Sequence, residues 1–357
     1  MKLYDKFDPI GKSVITTTRT DLINSIGIDG MKDILRGVFE GQNVRDVTEF
    51  ITQRRLLSSY AAMTNLFVNE LSELADTPNN YAEAVKMNLI ASKTSERILS
   101  LWLLGLTKKG LDNIVRTEDN ITDYTKSFAS SLIETSRDMS KKFGELTGEI
   151  SMGNRTFSLT WQSLLLFCQV IGSQTLSIRG SSKSMNGKLF EKLLLGSLLS
   201  MMGFSYLPKP PEKIIEGKKL FWLSNMDENE RETDATLCYN KTAISIDIGF
   251  IGKGNPEISL DKVTRFNRYK QIAGLGHEMK TIIIVDTVSK NSDLINKAKR
   301  VDGIVLQMSH TDWTIEFAKS ICAIFEIKHP LAEISTQSLD GYIRESLKNI
   351  DISAFVQ

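Results

Sequence analysis

The sequence predicts an α/β core, a mixed central sheet flanked by helices, preceded by an all-helical domain. Three observations carry this. No proline occurs between Pro78 and Pro208, and apolar residues recur there at helical spacing. Beyond Gly180, short β-branched runs alternate with helical stretches. With 357 residues, 41% hydrophobic and 24% charged, the chain has length for one large core or two medium ones and is neither disordered nor fibrous.

In the first half Met63, Phe67, Leu71 and Leu74 share one helical face. Ile98, Leu101, Trp102 and Gly105 repeat the pattern, as do Trp161, Leu164, Leu165 and Cys168. Asp76–Thr77–Pro78 reads as a break between helices. The all-helical domain is expected over 1–175, the α/β domain over 176–332 and a helical tail over 333–357. In the α/β part Leu189–Met202 reads as a buried helix that ends before the Pro208–Pro211 turn. Strands are expected at Lys219–Leu223, Ala235–Tyr239 and Ala243–Ile251, the last two joined by Asn240–Lys241. Helix Ser259–Ile272, strand Thr281–Val285, helix Ser292–Arg300, strand Gly303–Gln307 and helix Thr314–Phe325 follow, then a short final helix, Leu339–Ile350.

Composition excludes several chemistries. Lys+Arg number 44 against Asp+Glu 43, so any surface for a polyanion must be local. Cys168, Cys238 and Cys322 stand far apart, as do His277, His310 and His329. Neither set has metal-ligand or disulfide spacing, so metal chemistry would need carboxylates. No Walker A run, G-x-S-x-G elbow or H-E-x-x-H pair occurs, and Gly249-x-x-Gly-x-Gly254 lacks dinucleotide-loop spacing. Met1–Gly11 is mixed and charged, unlike a signal peptide. Ile98–Leu106 is too short to span a bilayer and Leu193–Tyr206 is interrupted by Ser and Gly, so the cytoplasm is the default location.

The most informative segment is Ala243–Ile251. Ile244, Ile246, Ile248 and Phe250 alternate with Ser245, Asp247 and Gly249. A charge inside such a strand is costly unless compensated. With the turn at Asn240–Lys241, Tyr239 faces Thr242, and counting outward sets Asp234 opposite Asp247. Side chains so placed have Cβ atoms about 4.5–5.5 Å apart. Two carboxylates there repel unless one takes a proton or a cation sits between them; a solvated hairpin end at Asp234 with a salt-bridged Asp247 is the alternative. Glu191 lies among Leu194, Leu195 and Leu198 in the preceding helix, pointing to the packed side. It either favours the helix dipole or completes an oxygen-ligand cluster for a magnesium-type ion.

Helix with Glu191, hairpin with Asp234 and Asp247, crossover helix and buried strand Thr281–Val285 together resemble the core of the PD-(D/E)xK nucleases. Arg231-Glu232-Thr233-Asp234 resembles the first half of the family motif and Asp247-Ile248-Gly249 the second. Gly249 stands where the family has lysine, so Lys253 or Lys262 is the expected substitute; if neither reaches the site, the chain is an inactive relative. The run from Asp247 to Lys262, followed by Arg265 and Arg268, further resembles type II restriction endonucleases of the CfrBI-like group. The core match covers about 180–310.

The resemblance implies an α/β nuclease core of the restriction-endonuclease type that hydrolyses DNA phosphodiesters, with a target resembling CCWWGG. Asp234 and Asp247 would hold Mg²⁺, with Glu191 contributing directly or through water. Lys253 or Lys262 would stabilise charge on the phosphorane. Glu257 is a further candidate acid, though a helix-start glutamate is the favoured reading. For the DNA surface, the Arg179–Lys188 run offers Arg179, Ser182, Lys183 and Lys188 with two glycines whose exposed N–H groups suit phosphates; an interdomain linker is the alternative reading. Lys262, Arg265, Arg268 and Lys270 form a second basic run, readable also as a solvated helix face. Symmetric cutting implies a homodimer, and restriction implies a cognate DNA methyltransferase. The helical domain would supply DNA contacts or the dimer surface. The other readings are a repair or mobile-element nuclease on the same core, and a non-catalytic helical interaction protein with a degenerate nuclease half.

Overall fold

A computed structural model describes residues 2–75, 77–92, 94–110, 117–211, 216–224, 233–240, 242–249, 278–287 and 303–356. The chain divides into two compact units, residues 1–18 with 49–184, and residues 19–48 with 185–357. The expected boundaries at 175/176 and 332/333 therefore do not match the contacts. Residues 19–48 and the tail both belong to the second unit.

The first unit is mostly helical, as expected. Helices Pro78–Ala91, Glu118–Phe143 and much of Val44–Leu66 lie in it. Pro78 occupies the first helical turn, where its missing N–H costs nothing. Thr117 caps Glu118–Phe143 and Gly144, at φ 86, ends it. One part is not helical. Strands β1 (Gly148–Met152) and β2 (Arg155–Leu159) pair antiparallel around Gly153–Asn154. Gly153 has φ 59, which the two-residue loop demands. Phe157 anchors the ribbon, its ring 5.9 Å from Phe67 and edge-on to it.

In the second unit the described strands form a six-stranded mixed sheet. They are β3 (Ser205–Leu207), β4 (Leu220–Leu223), β5 (Ala235–Tyr239), β6 (Thr242–Gly249), β7 (Glu278–Val285) and β8 (Gly303–Gln307), neighbours in that order. β4–β5 and β5–β6 are antiparallel; β3–β4, β6–β7 and β7–β8 are parallel. β5 and β8 have the expected bounds, β6 starts one residue earlier than expected and is described as far as Gly249, and β3, only three residues long, was not foreseen. Helices Ser259–Ile272 and Ser292–Arg300 lie outside the described residues.

The sheet has two unlike faces. One carries Phe221, Leu237, Ile244, Ile246, Ile248, Ile282 and Ile284, all fully buried. The C-terminal Phe355 covers part of it, with its ring 5.3 Å from Tyr206 and 6.3 Å from Phe221. This is why the tail is not separate: Leu339, Ile343 and Leu347, spaced by four, need a partner to bury them. Helix Ile28–Phe39 is tied in similarly. Trp313 Nε1 donates to the Val38 carbonyl at 2.9 Å, and the Trp313 ring lies 6.0 Å from Phe39. The opposite face carries Thr236, Ser245, Asp247 and Thr281, by strand alternation and register.

Glu40, an acid of this unit, titrates above its ordinary range. Burial, then the neighbouring Asp340, hold Glu40 above its ordinary carboxylate range, against Arg36 and Arg344. A raised folded-state value favours the neutral acid. That stability is present below the unfolded value of about 4.3 and is lost as pH rises through the folded value. Glu40→Gln, neutral at every pH, is therefore expected to raise Tm at pH 7 by about 1–2 °C. The gain should vanish below about pH 4 in thermal scans across pH.

Candidate active site

The β5–β6 turn sets the geometry. Asn240 adopts φ 54, a conformation asparagine tolerates, and Tyr239 pairs with Thr242. The register runs outward through Cys238↔Ala243, Leu237↔Ile244 and Thr236↔Ser245 to Ala235↔Ile246. The next position out on each strand is Asp234 and Asp247, the juxtaposition expected from the turn. The Asp234 Oδ2 accepts from the Ile248 N–H at 2.8 Å, so this carboxylate lies against the strand that bears Asp247. The Asp234 carbonyl also accepts from Ser224 at the end of β4, at 3.1 Å. Asp247 is 1% exposed and Asp234 half-buried.

Below the pair the same face is polar. Ser245 and Thr281 hydroxyls lie 3.2 Å apart, and those of Thr233 and Thr236 3.1 Å apart. Cys238, on that face as well, is fully buried, and burial pushes its thiol up, which suits packing and not nucleophilic attack.

Glu191 lies in helix Trp161–Met201, half-buried. The helix ends at Gly203, φ 77, with Phe204 N–H returning to the Leu199 carbonyl. Gly196 abuts the Phe355 ring, which also touches Tyr206 and Phe221. That contact puts the helix on the Phe221 face, whereas the aspartates belong to the opposite face. Among the described residues, no group of three or more His, Cys, Asp or Glu side chains is placed to hold a metal ion.

The two aspartates fit Mg²⁺ by their chemistry. They are hard oxygen donors on a rigid hairpin, and this ion is commonly held by one or two carboxylates, with waters and substrate phosphate completing the shell. A cation between them would also remove the repulsion of like charges placed opposite each other. Gly249, two residues beyond Asp247, has no side chain to offer. Lys253, Glu257, Lys262, Arg265, Arg268 and Lys270 lie outside the described residues, as do Arg231 and Glu232.

The Arg179–Lys188 run differs from expectation. It is neither loop nor linker but the middle of the Trp161–Met201 helix. Buried residues Ile178, Ser182, Asn186 and Leu189 fall at helical spacing, which outweighs the cost of Gly180 and Gly187. Its N–H groups therefore bond within the helix and do not face phosphates. Ser182 is 2% exposed and accepts from Arg55 at 2.9 Å, so its hydroxyl is used internally. Arg179 is exposed and paired with Glu49 at 3.1 Å; Lys183 and Lys188 are exposed. Burial, then Arg19 and Lys188, lower the Lys192 ammonium, so three cations gather on the second unit beside Glu191. Sequence reading passed over Arg19 and Lys192, although Lys188 and Lys192 stand four apart. It also passed over Asp286, the acid that closes the Ile-rich β7. Among the described residues no helix is long and apolar enough to cross a membrane.

A family model described as CfrBI restriction endonuclease matches residues 29–293. The type II restriction enzyme CfrBI of Citrobacter freundii is 36% identical over 352 residues, covering 95% of this chain and 94% of that protein. No solved structure matches. The matched span includes Glu191, both hairpin aspartates and the two candidate lysines, as the resemblance of the Asp247–Lys262 run implied. The chain belongs to the CfrBI restriction endonuclease family.

Proposed function

We propose that the protein is a type II restriction endonuclease that hydrolyses double-stranded DNA at a specific sequence, with Mg²⁺ held by Asp234 and Asp247. The observation that carries this reading is the hairpin register setting the two carboxylates opposite each other, in a chain of a restriction endonuclease family. The fold is a restriction-endonuclease-like α/β core, with the mixed sheet as its support.

Asp247 supplies the buried ligand and Asp234 the half-buried one, oriented by its bond from Ile248. Glu191 contributes through water. Magnesium supplies Lewis-acid polarisation of the phosphate and a lower pKa for the attacking water. Lys253 or Lys262 replaces the family lysine at Gly249, stabilising charge on the phosphorane and positioning the water. Arg179, Lys183, Lys188, Arg265 and Arg268 contact DNA phosphates, with Arg19 and Lys192 beside Lys188. The target is CCWWGG-like. The enzyme works as a cytoplasmic homodimer, paired with a methyltransferase that protects the host site.

Digestion of unmethylated phage DNA tests this. Discrete fragments are expected with Mg²⁺ and none with EDTA, and the sequenced ends give the target and cut position. Forks or flaps cut in preference to intact duplex would favour a repair nuclease. Binding without any cutting would favour the degenerate form that Gly249 allows.

A further inference from the structure

Asp286 is the first residue past β7, at the C-terminal edge shared by the parallel strands β6, β7 and β8. Its N–H donates to the Gly249 carbonyl at 3.3 Å, and its carbonyl accepts from Ser309 at 3.1 Å, so its backbone is fixed between the ends of β6 and β8. Ligands of parallel sheets commonly bind at this edge. The segment after helix Ile28–Phe39 is clamped to the same place. Thr314 donates to the Phe39 carbonyl at 3.3 Å, beside the Trp313 bond to Val38. Gly41, at φ 93, passes so close that a Cβ there would sit 3.1 Å from the His310 carbonyl oxygen. Asn43 then accepts from the Arg45 N–H at 2.9 Å, starting helix Val44–Leu66.

Arg45 is exposed in the first turn of that helix, where the dipole disfavours a cation. Local helix preference therefore does not account for it. Burial raises the Asp286 carboxyl, and the Arg45 guanidinium, near enough to act on it, opposes that rise, while Asp46 adds to it. Asp286 lies one strand over from Asp247, whose register partner is Ile283, and three residues further along. That separation is about 11 Å, or roughly three nucleotide steps along one DNA strand at 3.4 Å each.

We infer that Arg45, held at this edge of the sheet by the clamped segment before it, contacts a DNA phosphate within about three nucleotides of the scissile bond. This rests on the endonuclease reading above. The test is metal-free binding of a labelled target duplex to the full-length protein, followed by anisotropy over a range of NaCl concentrations. Each neutralised phosphate contributes about 0.9 to the slope of log K against log salt. Arg45→Ala should reduce the slope by about 0.9, and Arg45→Lys, which keeps the charge, should restore it. An Arg45→Ala slope equal to wild type overturns the inference, even if affinity falls, because a loosened loop lowers affinity without removing a counterion step. If the metal-free protein binds no duplex, the same titration is run in Ca²⁺; no binding there together with no cutting in Mg²⁺ overturns the endonuclease reading itself, and the inference with it.

Discussion

Asp247→Asn and Asp234→Asn are each expected to lower the cleavage rate about a thousandfold or more. A metal ion at the site contributes several kcal/mol of transition-state stabilisation, and about 4 kcal/mol corresponds to that factor. The fold should survive, since asparagine keeps the shape of aspartate. At position 234 it also keeps an oxygen for the Ile248 N–H. Removing one of two opposed carboxylates also relieves repulsion, so metal-free DNA binding should hold or tighten. Cleavage assays beside anisotropy on the same preparations separate these effects. Full activity in both variants would reject the site.

Lys253→Ala and Lys262→Ala, compared side by side, are expected to split. The lysine that takes the role left empty at Gly249 should cost about 10²–10³ in rate, the usual loss for one electrostatic donor to a developing charge. The other should change activity only a few-fold, through phosphate binding. Single-turnover rates at saturating enzyme make the comparison, because they remove the binding contribution. Two mild effects would move the role to another residue, with Lys192, beside Glu191, the next to vary.

The hairpin was legible because its signals agree. Asn240–Lys241 offers a turn, Ile244, Ile246 and Ile248 fix one face, and period-two alternation leaves one register for Asp234 and Asp247. Other parts were obscured by local conflicts. The glycines and serines of 179–188 suggest a loop, yet the stripe of Ile178, Ser182, Asn186 and Leu189 keeps the helix continuous. The β1–β2 ribbon has its signal in Gly153–Asn154 between alternating Ile150, Met152, Phe157 and Leu159, but it is short and sits among long helices. The assignment of residues 19–48 and of the tail to the sheet unit was not legible. That residues 19–48 join the sheet unit depends on contacts such as Trp313 to Val38, made across 275 positions. Arg45 and Asp286 belong to the same class, since only the fold sets them beside the end of β6.

Binding of Mn²⁺, a paramagnetic substitute for Mg²⁺, tests the pairing of the hairpin acids most directly. The titration is followed by electron paramagnetic resonance on the complex with a phosphorothioate duplex carrying the mapped target. Wild type should take up an ion that both Asp234→Asn and Asp247→Asn lose, while each variant still holds the duplex. Unchanged stoichiometry and affinity in the two variants would contradict the account.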